Sequence, residues 1–177
     1  MQTVATRKQR FIALLIDWLC ISAYLILLFG IMQLVYLVAF NGIPAFSNGQ
    51  TQFIAMLTSV LPVIILFSIM EGGSRAATFG KRIKKIIVSY PDHPKIRSTI
   101  RNIAKFLPWQ LGHMGVIHGM YHDFNWLAMV YISISMFLAF LYIIMVLVRR
   151  DHRHIADLLA GTTVVKNKKP LNPGCGA

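Results

Sequence analysis

Asp17 is the residue whose chemistry stands out first, because it is a carboxylate inside a long apolar run. The run covers residues 11–40 and holds no other acidic or basic side chain. An ionised carboxylate in a membrane is costly unless it is paired or hydrated. Arg10 lies seven residues earlier, two helical turns away on the same face. We therefore expect this face to point into a helix bundle and not toward lipid.

Asp17 allows two interpretations. It could be an ion or proton site on a transport path, or it could form a buried ion pair that fixes the register of its helix. Glu71, at the end of the next apolar run, allows the same two. Asp17 lies only about 9 Å from the start of its run, nearer one membrane surface than the midplane, where carriers usually bind substrate. The position favours the ion pair and leaves transport open.

The composition and the apolar runs indicate that these carboxylates belong to segments that lie in a membrane. Of 177 residues, 56% are hydrophobic and only 14% are charged, whereas soluble domains carry roughly 25% charged residues. Three apolar runs, at 11–40, 53–70 and 124–148, are each long enough to cross a hydrocarbon core of about 30 Å. The sequence therefore predicts a membrane protein.

The positive charges decide how many spans there are. Residues 100–121 are ambiguous, because they contain Arg101 and Lys105 and are interrupted by Pro108. If they cross the membrane, all 18 Lys and Arg residues face the cytoplasm or its edge, as cytoplasmic loops usually do. We therefore predict an all-α, four-helix transmembrane bundle with both termini cytoplasmic. Its third span is bent, or is instead a re-entrant segment.

The loops and the tail complete the predicted architecture. Glycines and a short β-branched stretch in residues 71–99 predict a small cytoplasmic β-hairpin-like loop. Residues 1–165 are expected to form a single domain, and 166–177 a polar, disordered tail. Four basic residues beside the spans are expected to bind anionic lipid headgroups: Lys84, Lys85, Arg149 and Arg150.

No motif for catalysis, a cofactor or a metal is found in the sequence. Cys20 and Cys175 lack metal-type spacing, and there is no phosphate-binding loop and no nucleophile–base pair. His118, His122 and Asp123 lie close together but predict interface residues, because no further ligand is visible. A net charge of +12 on a membrane chain points to anionic lipid and not to nucleic acid.

Several segments together resemble the RDD family of small bacterial membrane proteins. That family is characterised by an arginine and an aspartate in the first helix and an aspartate near the C-terminus, which here match Arg10, Asp17 and Asp157. "TFGKRIKKIIV" and "RRDHRHIADLLAGTTVV" resemble two further family segments, and "IRNIAK" resembles the start of the next helix. One difference is Ala156, where the family usually has His. The resemblance covers residues 7–165.

The resemblance implies a bacterial cytoplasmic membrane protein with an inner-face polar cluster. Its members would be Arg10, Asp17, Glu71, Lys81, Arg82 and Asp157. Such a cluster would serve a small transporter or cation/proton exchanger subunit, which with four spans would form an oligomer. The alternative is a non-transporting accessory, regulatory or immunity-type protein that docks on another membrane protein.

Overall fold

The structure is a computed structural model, which describes residues 3–167. It is mostly helical, with one small sheet. The helices are α1 (Arg7–Phe40), α2 (Asn48–Ala55), α3 (Leu61–Gly72), α4 (Phe79–Ile83), α5 (Pro94–Tyr121), α6 (Trp126–Val148) and α7 (Ile155–Leu159), and the strands are β1 (Ile86–Ser89) and β2 (Thr163–Lys166). A π-helical segment, Met56–Val60, joins α2 to α3.

Three helical segments are long and apolar enough to cross a membrane. They are α1, the continuous helix from Asn48 to Gly72, and α6, with 34, 25 and 23 residues. Large apolar side chains are exposed around all of them, such as Ile26, Ile69 and Phe137. A helix that is apolar on every side is typical of a membrane span.

Helix α5 runs beside these apolar helices over a comparable length. It packs against both α3 and α6. At one end the Ser98 hydroxyl donates to the carbonyl of Ser68 (2.9 Å), and at the other the hydroxyls of Tyr121 and Thr51 lie 2.6 Å apart. These contacts show that α5 is antiparallel to the helix 48–72. Its composition is less apolar because its first half is rich in basic residues.

Two prolines within the bundle are compensated by tyrosines from neighbouring helices. Pro108 has no N–H, so the carbonyl of Ala104 loses its partner four residues later. The Tyr142 hydroxyl, on α6, donates to that carbonyl at 2.8 Å. Likewise the Tyr24 hydroxyl, on α1, donates to the carbonyl of Thr58, which is four residues before Pro62. Such replacement is needed where water cannot satisfy the freed carbonyl.

The β-hairpin predicted within residues 71–99 is not present, although one of its strands is. Strand β1 pairs antiparallel with β2, with Ile86 opposite Lys166 and Ser89 opposite Thr163. Val4 forms a further bridge to Val165. The prediction failed because a short β-branched stretch shows that a strand exists but not which distant segment pairs with it.

Helix α4 is pressed directly onto the first turns of α1. A Cβ at Gly80 would lie 2.0 Å from the carbonyl oxygen of Ala13, so only glycine allows this approach.

The first two residues of the predicted disordered tail are held by the sheet. Lys166 ends β2, and the Asn167 N–H donates to the carbonyl of Lys85 at 2.9 Å. The remainder of the predicted disordered tail, 168–177, lies outside the described residues.

Candidate functional site

Charged side chains meet at one end of the bundle. At this end α1 and α5 begin and α3 and α6 finish, and α4 and α7 cover it. The side chains are buried although all are ionisable, and a buried charge is tolerated only when it is paired. We call this group the ionic cluster; its members are Arg10, Asp17, Glu71, Lys81, Arg101 and Asp157.

Glu71 lies at the centre of the ionic cluster and is fully buried. Lys81 Nζ donates to its Oε1 at 2.6 Å, and Arg101 Nη1 donates to its Oε2 at 2.5 Å. The Asn102 amide adds a third bond to Oε2 at 3.1 Å. Both carboxylate oxygens are therefore occupied by donors from α4 and α5.

Asp157, on α7, is held by two arginines from distant helices. Arg101 Nε donates to Oδ1 at 2.7 Å and Arg10 Nη2 donates to Oδ2 at 2.5 Å. Burial by itself raises the pKa of Asp157, but the charges of Arg101 and Arg10 outweigh it and hold the pKa well below its usual range. Asp157 is thus a permanent anion that joins α1, α5 and α7.

Asp17 fixes α4 against α1. Its Oδ2 accepts the Thr78 hydroxyl at 2.6 Å, and its Oδ1 accepts the backbone N–H of Gly80 at 2.8 Å. Lys81 Nζ is 4.0 Å from Oδ2. Asp17 is buried, so these bonds replace its hydration. They provide the partners that the sequence required of a carboxylate in this run.

Two further residues of the site were not singled out from the sequence. Arg101 joins Glu71 to Asp157 and is therefore the cation shared by two carboxylates. Lys105, one turn further along α5, lies over the rings of Phe67 (4.7 Å) and Phe106 (5.1 Å). Both are in the helix that resembles the family segment "IRNIAK", but spacing along one helix did not show which carboxylates they would meet.

His154 places an imidazole beside Asp157, although Ala156 stands where the family usually has the adjacent histidine. Its Nδ1 accepts the backbone N–H of Asp157, which caps α7, and its Nε2 is 3.6 Å from Oδ2 of Asp157. The ring stacks on Tyr142 with 6° between the planes. Burial lowers the pKa of His154 to about 3, despite the nearby Asp157 carboxylate. The imidazole is therefore neutral at physiological pH.

One predicted member, Arg82, does not join the ionic cluster. Its Nε donates to the carbonyl of Ala77 at 3.0 Å, and its guanidinium lies over the ring of Phe79. Consecutive residues of a helix point about 100° apart, so on α4 only Lys81 can face Glu71. The other five predicted members do come together.

The residues expected to bind lipid headgroups lie around this same end. Lys85, Arg149 and Arg150 are exposed and Lys84 is half-buried. Arg149 pairs with Asp151 through two bonds of 2.9 Å. At the opposite end, the rings of His118 and His122 are 4.3 Å apart and the Asn48 amide nitrogen contacts both. Within residues 3–167 no group of side chains has the arrangement of a metal site.

Two cavities adjoin the ionic cluster, and Asp17 lines both. The larger, of about 410 Å³, lies between the halves of α1, α5 and α6 that are nearest the ionic cluster. The smaller, of about 200 Å³, lies between α1 and α3. Most of their lining is apolar, and the charged side chains are at one end of the larger cavity.

One of three comparisons with known proteins gives a match. The family model described as "RDD family" matches residues 4–161, a range that includes every member of the ionic cluster. No curated protein and no solved structure gives a significant match. Since the matched range covers most of the chain, the protein belongs to the RDD family.

Proposed function

We propose that the protein is a non-enzymatic accessory or regulatory component of the bacterial cytoplasmic membrane, which acts by docking on another membrane protein. Residues 1–165 would form one four-span domain with both termini cytoplasmic. The ionic cluster would then be structural, holding the cytoplasmic ends of the helices together. This role corresponds to the second of the two functions that the sequence left open.

The observation that carries the proposal is that the carboxylates of the ionic cluster are already occupied. Glu71 and Asp157 each accept two cationic partners, and Asp17 accepts a hydroxyl and a backbone N–H. A cation site needs carboxylate oxygens that are free to coordinate an ion. Here an incoming Na⁺ or K⁺ would have to displace arginine or lysine from Glu71 or Asp157, or the hydroxyl and backbone N–H that Asp17 accepts.

The packing of α5 supports the fourth span. It is antiparallel to both α3 and α6 and is tied to the helix 48–72 at both ends. Two residues that α5 would carry into the membrane edge, Arg101 of the ionic cluster and its neighbour Asn102, are buried against Glu71. A helix with Arg101 can cross at this position because that charge is turned toward protein.

The outer half of α1 supports docking. Between Ile26 and Phe40 most of its large apolar side chains are exposed, and Leu27 and Val38 are more than 60% exposed. Helix α1 packs mainly on α4 and on the π-helical segment. Much of its outer half is therefore uncovered by this chain and available to a helix of another membrane protein.

Reconstitution in liposomes tests the proposal. We expect no Na⁺- or K⁺-driven change of internal pH, with the native protein or with Asp17→Asn. A photo-crosslinking side chain at Leu27 should link to another membrane protein in cells, while one at Met136, an equally apolar exposed position on α6, should not. Cation-driven flux that is lost in a correctly folded Asp17→Asn variant would overturn the proposal.

That result would favour the second candidate, a cation/proton exchanger subunit. One observation supports it: polar side chains continue along α5 beyond Lys105. Trp109 Nε1 donates to His113 Nε2 at 3.1 Å, and His113 Nδ1 is buried without a partner among the described residues. Such a stripe could begin a proton path, but the occupied carboxylates make it the weaker candidate.

A further inference from the structure

The larger cavity has the dimensions of a ligand site. Its volume of about 410 Å³ falls within the roughly 300–1,000 Å³ of small-molecule pockets. Along α6 its lining runs from Ser135 to Val146, roughly 16 Å at 1.5 Å per residue. The space is therefore elongated parallel to the helices, as a hydrocarbon chain would require.

The walls of the cavity are apolar and lead to the exposed faces of the bundle. Phe11, Phe106 and Ala139 line it. Leu14 and Ile143 also line it, and both are more than 40% exposed. Side chains that border the cavity thus also belong to helix faces that meet the membrane, so a lipid chain could enter without crossing water.

The inner end of the cavity has an excess of positive charge. Here four basic side chains accompany three carboxylates: Arg10, Lys81, Arg101 and Lys105 against Asp17, Glu71 and Asp157. Lys105 is the basic side chain left over, because within residues 3–167 it has no carboxylate at ion-pair distance and its Nζ lies over the rings of Phe67 and Phe106. An ammonium group held in this way lacks the anion that a low-dielectric site calls for.

From these features we propose that the cavity binds one anionic phospholipid of the inner leaflet. The phosphate would lie at Lys105, and one acyl chain would lie along α6. The elongated shape of the cavity suits an acyl chain. The excess of basic side chains at its inner end suits a phosphate group. This site is distinct from the exposed residues Lys85, Arg149 and Arg150, which can attract any anionic surface, and it does not depend on whether the protein docks or transports.

The test is to count lipids that stay bound when the protein is released from nanodiscs containing equal amounts of phosphatidylglycerol and phosphatidylcholine. Native mass spectrometry should show one phosphatidylglycerol retained. Lys105→Met removes the charge and should lower retention by roughly tenfold or more, as expected for loss of a charge-assisted bond. Lys95→Met, an exposed position on the same helix, is the matched control and should retain the lipid.

A second variant addresses the cavity and not the charge. Ala139→Phe fills the space beside α6 and should also abolish retention, while Lys105→Arg should preserve it. These variants decide the question even if Lys105→Met does not fold. Equal retention of phosphatidylcholine, retention of a fatty acid instead of a phospholipid, or unchanged retention in Ala139→Phe would each overturn the proposal.

Discussion

Arg101 has the largest structural role of any single residue in the ionic cluster. Its guanidinium uses two nitrogens to join Glu71 on α3 to Asp157 on α7. All three side chains are buried, so none can exchange its partner for water. The planar fork of arginine suits this bridging position, whereas lysine could place only one charged nitrogen there.

Arg101→Gln should therefore destabilise the protein strongly. Removing one partner of a buried ion pair leaves uncompensated charge and costs about 3–5 kcal/mol. Thermal unfolding in detergent measures the loss, and Arg150→Gln, at an exposed position, should change little. Similar melting temperatures for the two variants would show that the cluster does not hold the helices together.

His154 makes stability depend on pH, because its folded pKa of about 3 lies below the unfolded value of about 6.5. Below pH 6.5 the unfolded chain takes up a proton that the folded protein refuses, so stability falls as the pH decreases toward 3. His154→Asn keeps a capping acceptor for α7 but removes the imidazole. Between pH 7 and 5 the native protein should lose about 2 kcal/mol more than the variant, measured by unfolding at each pH.

The residues of the cluster were partly predictable. The sequence indicates Asp17 and Glu71, because a carboxylate within or directly after an apolar run needs a partner. Lys81 and Asp157 are predicted from the resemblance to the family. Arg101 was missed because the sequence gives its position on α5 but not the elements it contacts. The sequence does not distinguish Arg82 from Lys81 as a member of the cluster. Only the geometry of α4 determines that Lys81, and not Arg82, faces Glu71.

At the scale of elements, the two proline-containing helices depend on neighbouring tyrosines. In each case a hydroxyl from another helix occupies the carbonyl that proline leaves without a donor. The sequence shows both prolines and predicts a bend in the segment that contains Pro108. It cannot show that Tyr142 and Tyr24 compensate, because that depends on which helices are neighbours.

A double-mutant cycle tests this compensation. Tyr142→Phe should cost about 0.5–1.5 kcal/mol in the native background, where the carbonyl of Ala104 loses its donor. In a Pro108→Ala background the cost should fall toward zero, because the substituted residue restores a backbone N–H to that carbonyl. Unfolding free energies of the four proteins give the coupling, and additive effects would contradict the assignment.

For the whole molecule, charge distribution and hydropathy predict different numbers of membrane spans. Length and apolarity single out three helices, whereas the placement of Lys and Arg predicted that the less apolar segment 100–121 also crosses. In the first half of α5, Arg101 is buried against Glu71 and Asp157, whereas Lys95 is exposed. The sheet was beyond prediction, because β1 and β2 are separated by most of the bundle's second half.

Cysteine labelling determines whether α5 crosses. In a background without Cys20 and Cys175, Asp92→Cys lies just before α5 and His122→Cys directly after it. A membrane-impermeant thiol reagent added to intact cells should label position 122 but not position 92, and Gly49→Cys serves as the external control. Labelling of 92 and 122 alike would mean that α5 returns to the side on which it began.

The bond between Arg10 and Asp157 joins residues 147 positions apart. Helices α1, α3, α5 and α6 all precede Asp157 in the chain, so they are synthesised before the partner of Arg10. Until then Arg10 lacks its carboxylate partner, and Arg101 is paired with Glu71 alone. Helix α7 therefore supplies the carboxylate that completes the ionic cluster and joins α1 to α5.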